Sequence, residues 1–382
     1  MKSPLTKLAR FVSIYGARKA VFKAISRAEE VPRFVRYPPW PRRTRDIGII
    51  GCGQFGFATV GHELSKAVGN RFGGCFDIDP HRTKRFSKFF GCRTFSSARE
   101  LLEEPTLRLV YITSNHASHT GYAVEALNNG KSVYIEKPIS VSIDQLTSLW
   151  AALAGSEGKY FFGYNRPFST ACRLLRAWAD VDWQEPLTLS CYVVGHKIHD
   201  DHWYRKPEEG TRVCGNLGHW LDLLVHLRSW GRLEDRWRIS IAYSDDRVSD
   251  DNLAITLVSS RGSLATITLT SRSEPFEGIN EQINIQLGDL TAQIDDFRSV
   301  AFRQEERFLK RRFPFKDVGH RGAIGQPFPG ADKRNALEAI ASSLLMLKVK
   351  DMVLNRETDL EFSFSEAWSA CLGPVPTGLP LQ

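Results

Sequence analysis

A short apolar run followed by three closely spaced glycines constrains the fold of this chain more than any other feature. Residues 46–57 read Asp-Ile-Gly-Ile-Ile-Gly-Cys-Gly-Gln-Phe-Gly-Phe, and a helical pattern follows them. In a dinucleotide-binding βαβ unit the first glycine permits a tight turn and the second lets the backbone approach a pyrophosphate. The third lets the next helix pack closely on the strand. We therefore predict a cofactor-binding loop made of Gly51, Gly53, Gln54, Phe55 and Gly56.

A carboxylate follows the second predicted strand. The stretch Phe72-Gly-Gly-Cys-Phe-Asp77 places Asp77 about 20 residues after the glycine loop, where the ribose hydroxyls of the adenosine half would lie. A carboxylate at this position repels a 2′-phosphate, so the pattern favours NAD over NADP. Arg82, five residues further on, leaves NADP as the less favoured alternative.

The composition is that of a globular protein. A length of 382 residues predicts about two domains, and 42% hydrophobic with 25% charged residues is an ordinary balance. No apolar run reaches the roughly 18–20 residues that span a bilayer. The seven cysteines are dispersed without a CxxC motif, which favours reduced thiols and a cytoplasmic location.

The excess of positive over negative charge is confined to the beginning of the chain. The net charge is +8, but residues 1–46 carry +9, so the rest of the chain sums to −1. A nearly neutral body offers no basic surface for phosphates. We therefore predict no nucleic-acid partner.

Residues 1–45 form a separate predicted segment. Apolar residues from Leu5 through Leu8 to Ile25 recur at helical spacing among lysines and arginines, which predicts a basic amphipathic helix. Tyr37-Pro-Pro-Trp-Pro-Arg-Arg then predicts a proline-stiffened linker. Such a helix can dock on an anionic membrane surface or an acidic partner, or pack on its own domain or a second copy; a transit peptide is the remaining alternative. Peripheral contact with the inner face of a membrane is thus left open.

The predicted order of helices and strands changes once along the rest of the chain. Strands alternate with helices up to about residue 160, which predicts a Rossmann domain with a doubly wound parallel sheet over residues 46–160. After about residue 185, strands follow one another across short turns, which predicts an open, mainly antiparallel sheet. We assign residues 161–382 to an α/β substrate and oligomerisation domain and expect the site in the cleft between the domains. The predicted elements are strands 47–50, 73–77, 107–113, 132–135, 187–194, 238–243, 253–259, 263–271 and 282–287, and helices 56–68, 80–90, 119–129, 142–154, 219–230 and 331–352.

Polar residues follow the third and fourth predicted strands, where ligands of an open parallel sheet bind. Glu136-Lys137-Pro138 follows the fourth strand; the ammonium of Lys137 there could stabilise a developing alkoxide or transfer a proton. The third strand ends in short polar residues suited to the cofactor ribose or pyrophosphate, although its histidines could instead cap the next helix. These candidate cofactor residues are Thr113, Asn115, His116 and His119.

Two further groups belong to the second predicted domain. Asn165 and Arg166 lie at the domain junction, where they could line the nicotinamide and substrate pocket or form a structural turn with a surface arginine. His219 lies in the first turn of a helix after a glycine-rich approach and could act as a general base, with Asp222 on the same face to orient its ring. Further substrate candidates are His202, Trp203 and Asn216. The spacing of His196, His199 and His202 lacks a completing ligand, so we predict no metal.

These motifs, in this order, resemble the glucose–fructose oxidoreductase/inositol dehydrogenase (Gfo/Idh/MocA) family over about residues 46–375, with Glu136-Lys137-Pro138 as the most specific mark. The resemblance implies a Rossmann domain followed by an open antiparallel sheet and NAD(P)-dependent chemistry on sugars, cyclitols or nucleotide-sugars. It implies that Lys137 is the catalytic lysine and His219 the acid/base histidine. Many members carry an aspartate four residues before that histidine, whereas this chain has Gly215 and then Asn216. The N-terminal segment looks like extensions on some bacterial surface-polysaccharide oxidoreductases of this family.

The sequence therefore predicts an NAD(P)-dependent oxidoreductase acting on a sugar or nucleotide-sugar hydroxyl, in polysaccharide or other carbohydrate metabolism. An NAD-dependent glycosidase and a non-catalytic NAD-binding sensor or scaffold are the alternatives. An open apolar face on the antiparallel sheet would favour burial against a second copy, so we also expect a homo-oligomer formed through this sheet.

Overall fold

The structure of the chain is a computed structural model that describes residues 4–32, 34–38, 44–244, 247–274, 278–378 and 381, with the backbone alone for residues 4, 5, 7 and 8. Residues 39–43 of the predicted linker and the side chains of Leu5 and Leu8 therefore lie outside the described residues.

Helices and strands alternate along the first half of the chain, and strands predominate in the second. The α-helices are α1 (Pro4–Tyr15), α2 (Ala17–Arg27), α3 (His62–Ala67), α4 (Pro80–Phe90), α5 (Ala98–Glu103), α6 (His119–Asn128), α7 (Ile143–Gly155), α8 (Thr170–Trp178), α9 (Gly218–Ser229), α10 (His320–Gly325), α11 (Ala336–Asn355) and α12 (Phe364–Leu372). The strands are β1 (Ile47–Ile50), β2 (Phe72–Phe76), β3 (Arg93–Thr94), β4 (Leu109–Ile112), β5 (Ser132–Ile135), β6 (Tyr160–Phe162), β7 (Leu187–Val194), β8 (Arg236–Tyr243), β9 (Leu253–Ser259), β10 (Leu264–Thr270), β11 (Asn280–Leu287), β12 (Leu290–Asp295), β13 (Ser299–Gln304), β14 (Arg307–Arg312) and β15 (Asp359–Ser363).

Two compact units contain these elements. The first comprises Met1–Ser140, Asp144–Gly163 and His320–Arg334, and the second comprises Val141–Ile143, Tyr164–Gly319 and Asn335–Gln382. The division differs from the predicted domains because residues 320–334 return to the first unit. There the Tyr111 hydroxyl donates to the Ile324 carbonyl at 2.7 Å, and the Gln326 amide donates to the Phe162 carbonyl at 2.8 Å. Contacts between residues so far apart in the chain leave no local sequence signal.

The first unit contains a six-stranded parallel sheet in the order β3-β2-β1-β4-β5-β6. All four residues of β1 and all four of β4 are buried, as expected for strands covered on both faces. The strand order reverses between β1 and β4, and ligands of doubly wound sheets bind at such a switch point. The glycine loop follows β1 directly, so the sheet places it at this position. The predicted Rossmann fold is confirmed.

Two helices, rather than the single predicted helix, begin the chain. Gly16 separates α1 from α2 with a φ of 85°, a backbone conformation that side chains with a Cβ rarely adopt. Phe22 of α2 is buried against Phe57, Phe89 and Phe90 of the first unit. The apolar face of α2 is therefore occupied by its own unit, which is one of the alternatives that the sequence left open.

The second unit contains a nine-stranded sheet in the order β14-β13-β12-β11-β7-β10-β9-β8-β15. Every described pair is antiparallel except β7 with β10, so the predicted mainly antiparallel sheet is confirmed. Residues on β11 alternate between buried and exposed, because α8 and α9 cover one face of the sheet. Helix α11 packs on α9 and begins five residues later than predicted, because the Asn335 side chain caps it by accepting from the Leu337 amide.

Several elements have no counterpart in the sequence analysis: β3, α5, β6, α8, α10, β12 to β15 and α12. Strand β14 reads Arg-Phe-Leu-Lys-Arg-Arg and is largely exposed at the sheet edge, so it lacks the apolar alternation by which strands are recognised. Helix α5 does carry a local signal, since the Ser97 hydroxyl accepts from the Glu100 amide in a Ser-x-x-Glu capping sequence.

Candidate active site

Two of the three glycines of the loop are required by its backbone geometry. Gly51 has a φ of 95°, and a Cβ there would lie 2.4 Å from the Thr113 carbonyl carbon. A Cβ on Gly56 would lie 2.2 Å from the Gly51 carbonyl oxygen. By contrast, the nearest atom to a Cβ on Gly53 would be a guanidinium nitrogen of Arg82 at 3.8 Å. Gly51 and Gly56 thus permit the turn and the close helix packing, while Gly53 leaves its surroundings open for a ligand.

The helix that follows the loop begins at Gln54, contains a π-helical turn over Gly56–Gly61 and continues into α3. Amides at a helix start lack partners in earlier turns and point at an anion bound there. The Phe57 amide donates to the Gly53 carbonyl at 2.9 Å, and the Phe55 ring contacts the His320 ring edge-on. Gln54 accepts a hydrogen bond from Arg27 of α2 at 3.3 Å. The loop is therefore held from several elements of the first unit.

Asp77 lies at the end of β2, and its carboxylate holds the neighbouring backbone. One oxygen accepts from the Cys52 amide at 2.7 Å and the other from the Asp79 amide at 2.9 Å. Asp77 thus joins the glycine loop to the end of β2. Arg82, the residue that kept NADP as an alternative, pairs with Asp79 at 3.1 Å on the surface.

Ile78 is a candidate that sequence reasoning missed. Its side chain is 82% exposed directly after Asp77. An exposed apolar side chain beside a predicted ribose site offers a surface on which a base could pack. The signal is available in the sequence only once the end of β2 is known.

Thr113 and His119 connect the strand ends. The Thr113 hydroxyl donates to the Gly51 carbonyl at 2.7 Å and therefore faces the loop backbone. His119 is fully buried, with its ring nitrogens 2.8 Å from the Pro138 carbonyl and 3.1 Å from the Ser114 carbonyl. Burial lowers the pKa of His119 to about 4, although both carbonyls favour the charged ring. Asn115 accepts from Ser118 at 2.8 Å, and the buried His116 ring lies against His119.

Glu136-Lys137-Pro138 follows β5, as predicted. Glu136 is buried; it accepts from the Tyr134 hydroxyl at 3.0 Å and lies against Gly163, where a Cβ would be 2.5 Å from its carboxylate oxygen. Lys137 is half-buried and is joined to Pro138 by a cis peptide bond. Because His119 contacts the Pro138 carbonyl, the β4 end positions the segment that carries Lys137.

His219 lies in the second unit, in the first turn of α9, and is 7% exposed. A π-helical turn over Val213–Leu217 precedes it and includes the half-buried Asn216. Such turns occur often at functional sites, and neither π-helical turn was predicted from the sequence. Asp222 is buried and accepts from the Ser342 hydroxyl of α11 at 2.8 Å.

Arg166 has an internal partner rather than a surface position. Its guanidinium donates to both oxygens of the buried Glu281, at 2.9 and 3.3 Å, and to the Asn165 side chain at 3.1 Å. Glu281 also accepts from the Trp220 indole at 2.8 Å. Arg166 is only 5% exposed. The structure thus places Asn165 and Arg166 in a buried network, which argues against a charged ligand contact by Arg166.

His202 and Trp203 lie on an exposed turn of the second unit. The His202 ring stacks on Trp203, whose ring contacts Tyr204 edge-on with centroids 4.3 Å apart. His196 pairs with Glu274 at 2.6 Å. Among the described residues, no three or more His, Cys, Asp or Glu side chains form a cluster that could hold a metal ion.

Known proteins match the part of the chain that carries the glycine loop. Residues 45–164 match the family model described as an oxidoreductase family with an NAD-binding Rossmann fold, Gfo/Idh/MocA. Residues 45–164 are therefore similar to the NAD-binding Rossmann domain of this family. The resemblance predicted from the motifs, and NAD as the cofactor of this domain, are thereby confirmed.

Relatives and solved structures extend the comparison. An inositol 2-dehydrogenase from Ralstonia nicotianae is 27% identical over 186 residues, or 48% of this chain and 52% of the relative. The chain thus spans about half the length of the curated relatives that it matches. The WlbA dehydrogenase from Bordetella pertussis, solved with NADH and UDP-GlcNAcA, shares 17% identity with a TM-score of 0.66 over 84% of this chain and 99% of its own. The UDP-N-acetylglucosamine 3-dehydrogenase GnnA from Acidithiobacillus ferrooxidans shares 18% identity with a TM-score of 0.65 over 81% and 97%. These likenesses show a shared fold.

Proposed function

We propose that this protein is an NAD-dependent oxidoreductase that transfers a hydride between nicotinamide and a hydroxyl-bearing carbon of a sugar or nucleotide-sugar. The observation that carries the proposal is the Glu136-Lys137-Pro138 segment at a strand end of a matched NAD-binding domain. His119 and Tyr134 hold the residues on either side of Lys137 in place. Relatives named for a cyclitol substrate, and a solved structure holding a nucleotide-sugar, support this substrate class. Carbohydrate metabolism, including polysaccharide synthesis, is the corresponding cellular role.

The residues of the chain would divide the chemistry as follows. NAD, when bound, supplies the acceptor for the hydride. The Gly51–Gly56 loop and its helix amides would hold the pyrophosphate, and Asp77 would bind the adenosine ribose. The Lys137 ammonium would stabilise negative charge on the substrate oxygen as the proton leaves. His219 would accept that proton, since a neutral imidazole is a suitable base near pH 7.

Other proposed contacts are assigned by position. Thr113, Asn115, His116 and His119 would support the cofactor from the β4 end, and Glu136 from the β5 end. The exposed Trp203 ring, with His202 stacked on it, offers an apolar platform for a sugar ring. Asn216 and Asp222 remain proposed substrate residues. Asn165 and Arg166 would act by holding their own segment rather than by touching a charged ligand, because Glu281 already neutralises Arg166.

The test is a turnover assay with purified protein, NAD, and myo-inositol or UDP-N-acetylglucosamine as probes, read by absorbance of reduced nicotinamide. We expect His219→Ala and Lys137→Ala each to lower kcat by about a hundredfold or more, since acid–base groups contribute about that factor. NAD affinity, measured by calorimetry, should stay within about threefold for His219→Ala. Near-normal turnover in Lys137→Ala with NAD bound would exclude the proposed mechanism.

The same incubations separate the alternatives when released UDP is also measured by chromatography. A glycosidase that regenerates its cofactor would cleave the glycosyl–phosphate bond of UDP-N-acetylglucosamine without net reduced nicotinamide. A sensor or scaffold would bind NAD and convert neither probe nor a wider set of sugars and nucleotide-sugars. Gly215, where many relatives of the family carry an aspartate, is the feature that motivates this second alternative.

We also propose that the protein forms a homo-oligomer through the outward face of its nine-stranded sheet. Tyr192 of β7 and Leu264 of β10 are 48% and 37% exposed on neighbouring strands of this face. Most of the face is less apolar than the sequence suggested, since hydroxyl and amide residues line it; examples are Thr266, Thr268, Gln282, Asn284 and Gln293. Two copies of such a face would pack against each other through a few apolar contacts, surrounded by a polar rim.

A further inference from the structure

The N-terminal segment is fixed on the first unit at the middle and at the C-terminal end of α2. The Phe22 ring packs edge-on against the rings of Phe57, His62 and Phe89, with centroids 5.2 to 6.4 Å apart. At the C-terminal end of α2, the Arg85 guanidinium of α4 donates to the Ala28 carbonyl at 2.7 Å. The last turn of α2 therefore has a defined position beside the Rossmann elements.

That last turn brings a cation to the glycine loop. The Arg27 Nε donates to the Gln54 side-chain oxygen at 3.3 Å, and the Arg27 side chain is otherwise exposed. Gln54 directly follows Gly53, around which a ligand has space. The amides of the glycine loop face the expected pyrophosphate, and the Arg27 guanidinium lies beside them, in contact with the Gln54 side chain. It can therefore reach the phosphate, and its planar fork suits two oxygens of one phosphate group.

The other cations of α2 add positive charge to this face, which Glu63 offsets only at Lys19. Lys19, Lys23 and Arg27 follow one another at intervals of four residues, so they share one side of the helix. Burial, together with the charges of Arg27 and Lys19, lowers the pKa of Lys23 to about 8. Like charges at this spacing destabilise a helix, and a bound anion relieves that repulsion.

We propose that Arg27 is a dinucleotide-binding residue, supplied by the N-terminal segment, whose guanidinium contacts the pyrophosphate of NAD. The inference rests on the NAD-binding function of residues 45–164 and extends the cofactor site beyond them to α2. The site is then complete only when the N-terminal helices are present.

The experiment measures dissociation constants of the full chain for NAD, ADP-ribose and adenosine by calorimetry, with adenosine measured by competition against NAD. Arg27→Ala should weaken NAD and ADP-ribose by about tenfold, the low end expected for a lost hydrogen bond to a charged group at an exposed site. Adenosine, which has no phosphate, should bind unchanged. Arg27→Lys should retain part of the affinity, because it keeps the charge and loses the fork.

Arg10→Ala is the matched control. Arg10 is an exposed cation on α1, so this variant makes the same change in net charge and should bind NAD as the unaltered protein does. Unchanged NAD affinity in Arg27→Ala would overturn the inference. An equal loss for adenosine with a lowered melting temperature would also overturn it, by assigning Arg27 a structural role. If the unaltered protein bound no NAD, the cofactor assignment itself would fail, and the inference with it.

Discussion

His119 joins the two strand ends that carry the proposed cofactor and catalytic residues. Its ring lies between the Ser114 carbonyl after β4 and the Pro138 carbonyl after β5, without access to solvent. The sequence suggested that His119 contacts the cofactor or caps a helix. The structure shows its ring bracing the backbone next to Lys137, and we expect it to support the cofactor as a positioning residue, through that backbone.

The buried His119 ring should make the protein sensitive to acid. The unfolded chain takes up a proton near pH 6.5, whereas the folded protein does so only near pH 4. Stability should therefore fall as the pH falls through this window, by about 3 kcal/mol from this group in total, and level off below it. Urea denaturation at several pH values, compared between the unaltered protein and His119→Gln, measures the effect. Parallel pH profiles for the two proteins would contradict it.

The sequence showed the amphipathic pattern of helix α2 clearly, but it did not show which surface the apolar face of the helix packs on. Its lysines and arginines suggested an anionic surface, but Phe22 packs within a cluster of aromatic rings that includes Phe57, Phe89 and Phe90. Contact with a membrane surface stays a prediction. Because Phe22 is buried, it concerns only the exposed lysines and arginines of the N-terminal helices. Among the described residues, none of the helices has the length and apolar character to cross a membrane.

The docking of α2 can be tested by two neighbouring substitutions. Phe22 is 4% exposed and Val21 is 56% exposed on the same helix. Phe22→Ala should destabilise the first unit by about 3 kcal/mol, because it removes a buried ring and leaves a cavity. Val21→Ala should change stability by less than about 0.5 kcal/mol. Differential scanning calorimetry of the full chain provides the comparison, and equal effects of the two substitutions would show that α2 is not docked as described.

The nine-stranded sheet provides the surface through which we propose that copies of the molecule associate. Helices cover one face, while the outward face presents Tyr192 and Leu264 among hydroxyl and amide residues. Large open sheets are rarely left uncovered in solution, because exposed apolar groups on them favour association.

Association through this face should be abolished by charge. The double variant Tyr192→Glu, Leu264→Glu places two like charges against their counterparts in any symmetric pairing, so we expect a shift from oligomer to monomer. Leu354→Glu is the control, since Leu354 is 48% exposed on α11 rather than on the sheet. Light scattering coupled to size exclusion measures the mass. A monomeric unaltered protein, or a variant with unaltered mass, would rule out this interface.

Local signals in the sequence determined the glycine loop, the carboxylate of Asp77, the strand end at Lys137 and the helix that carries His219. Each depends on residues near one another in the chain: a glycine where φ is positive, an apolar run for a buried strand, a glycine-rich approach before a helix. The tertiary structure alone decided the pairing of Arg166 with Glu281, the return of residues 320–334 to the first unit and the approach of Arg27 to Gln54. In the first two cases the partners lie more than a hundred residues apart. Such contacts form only because packing brings distant segments together, and no periodicity in the chain records which side chains will then meet.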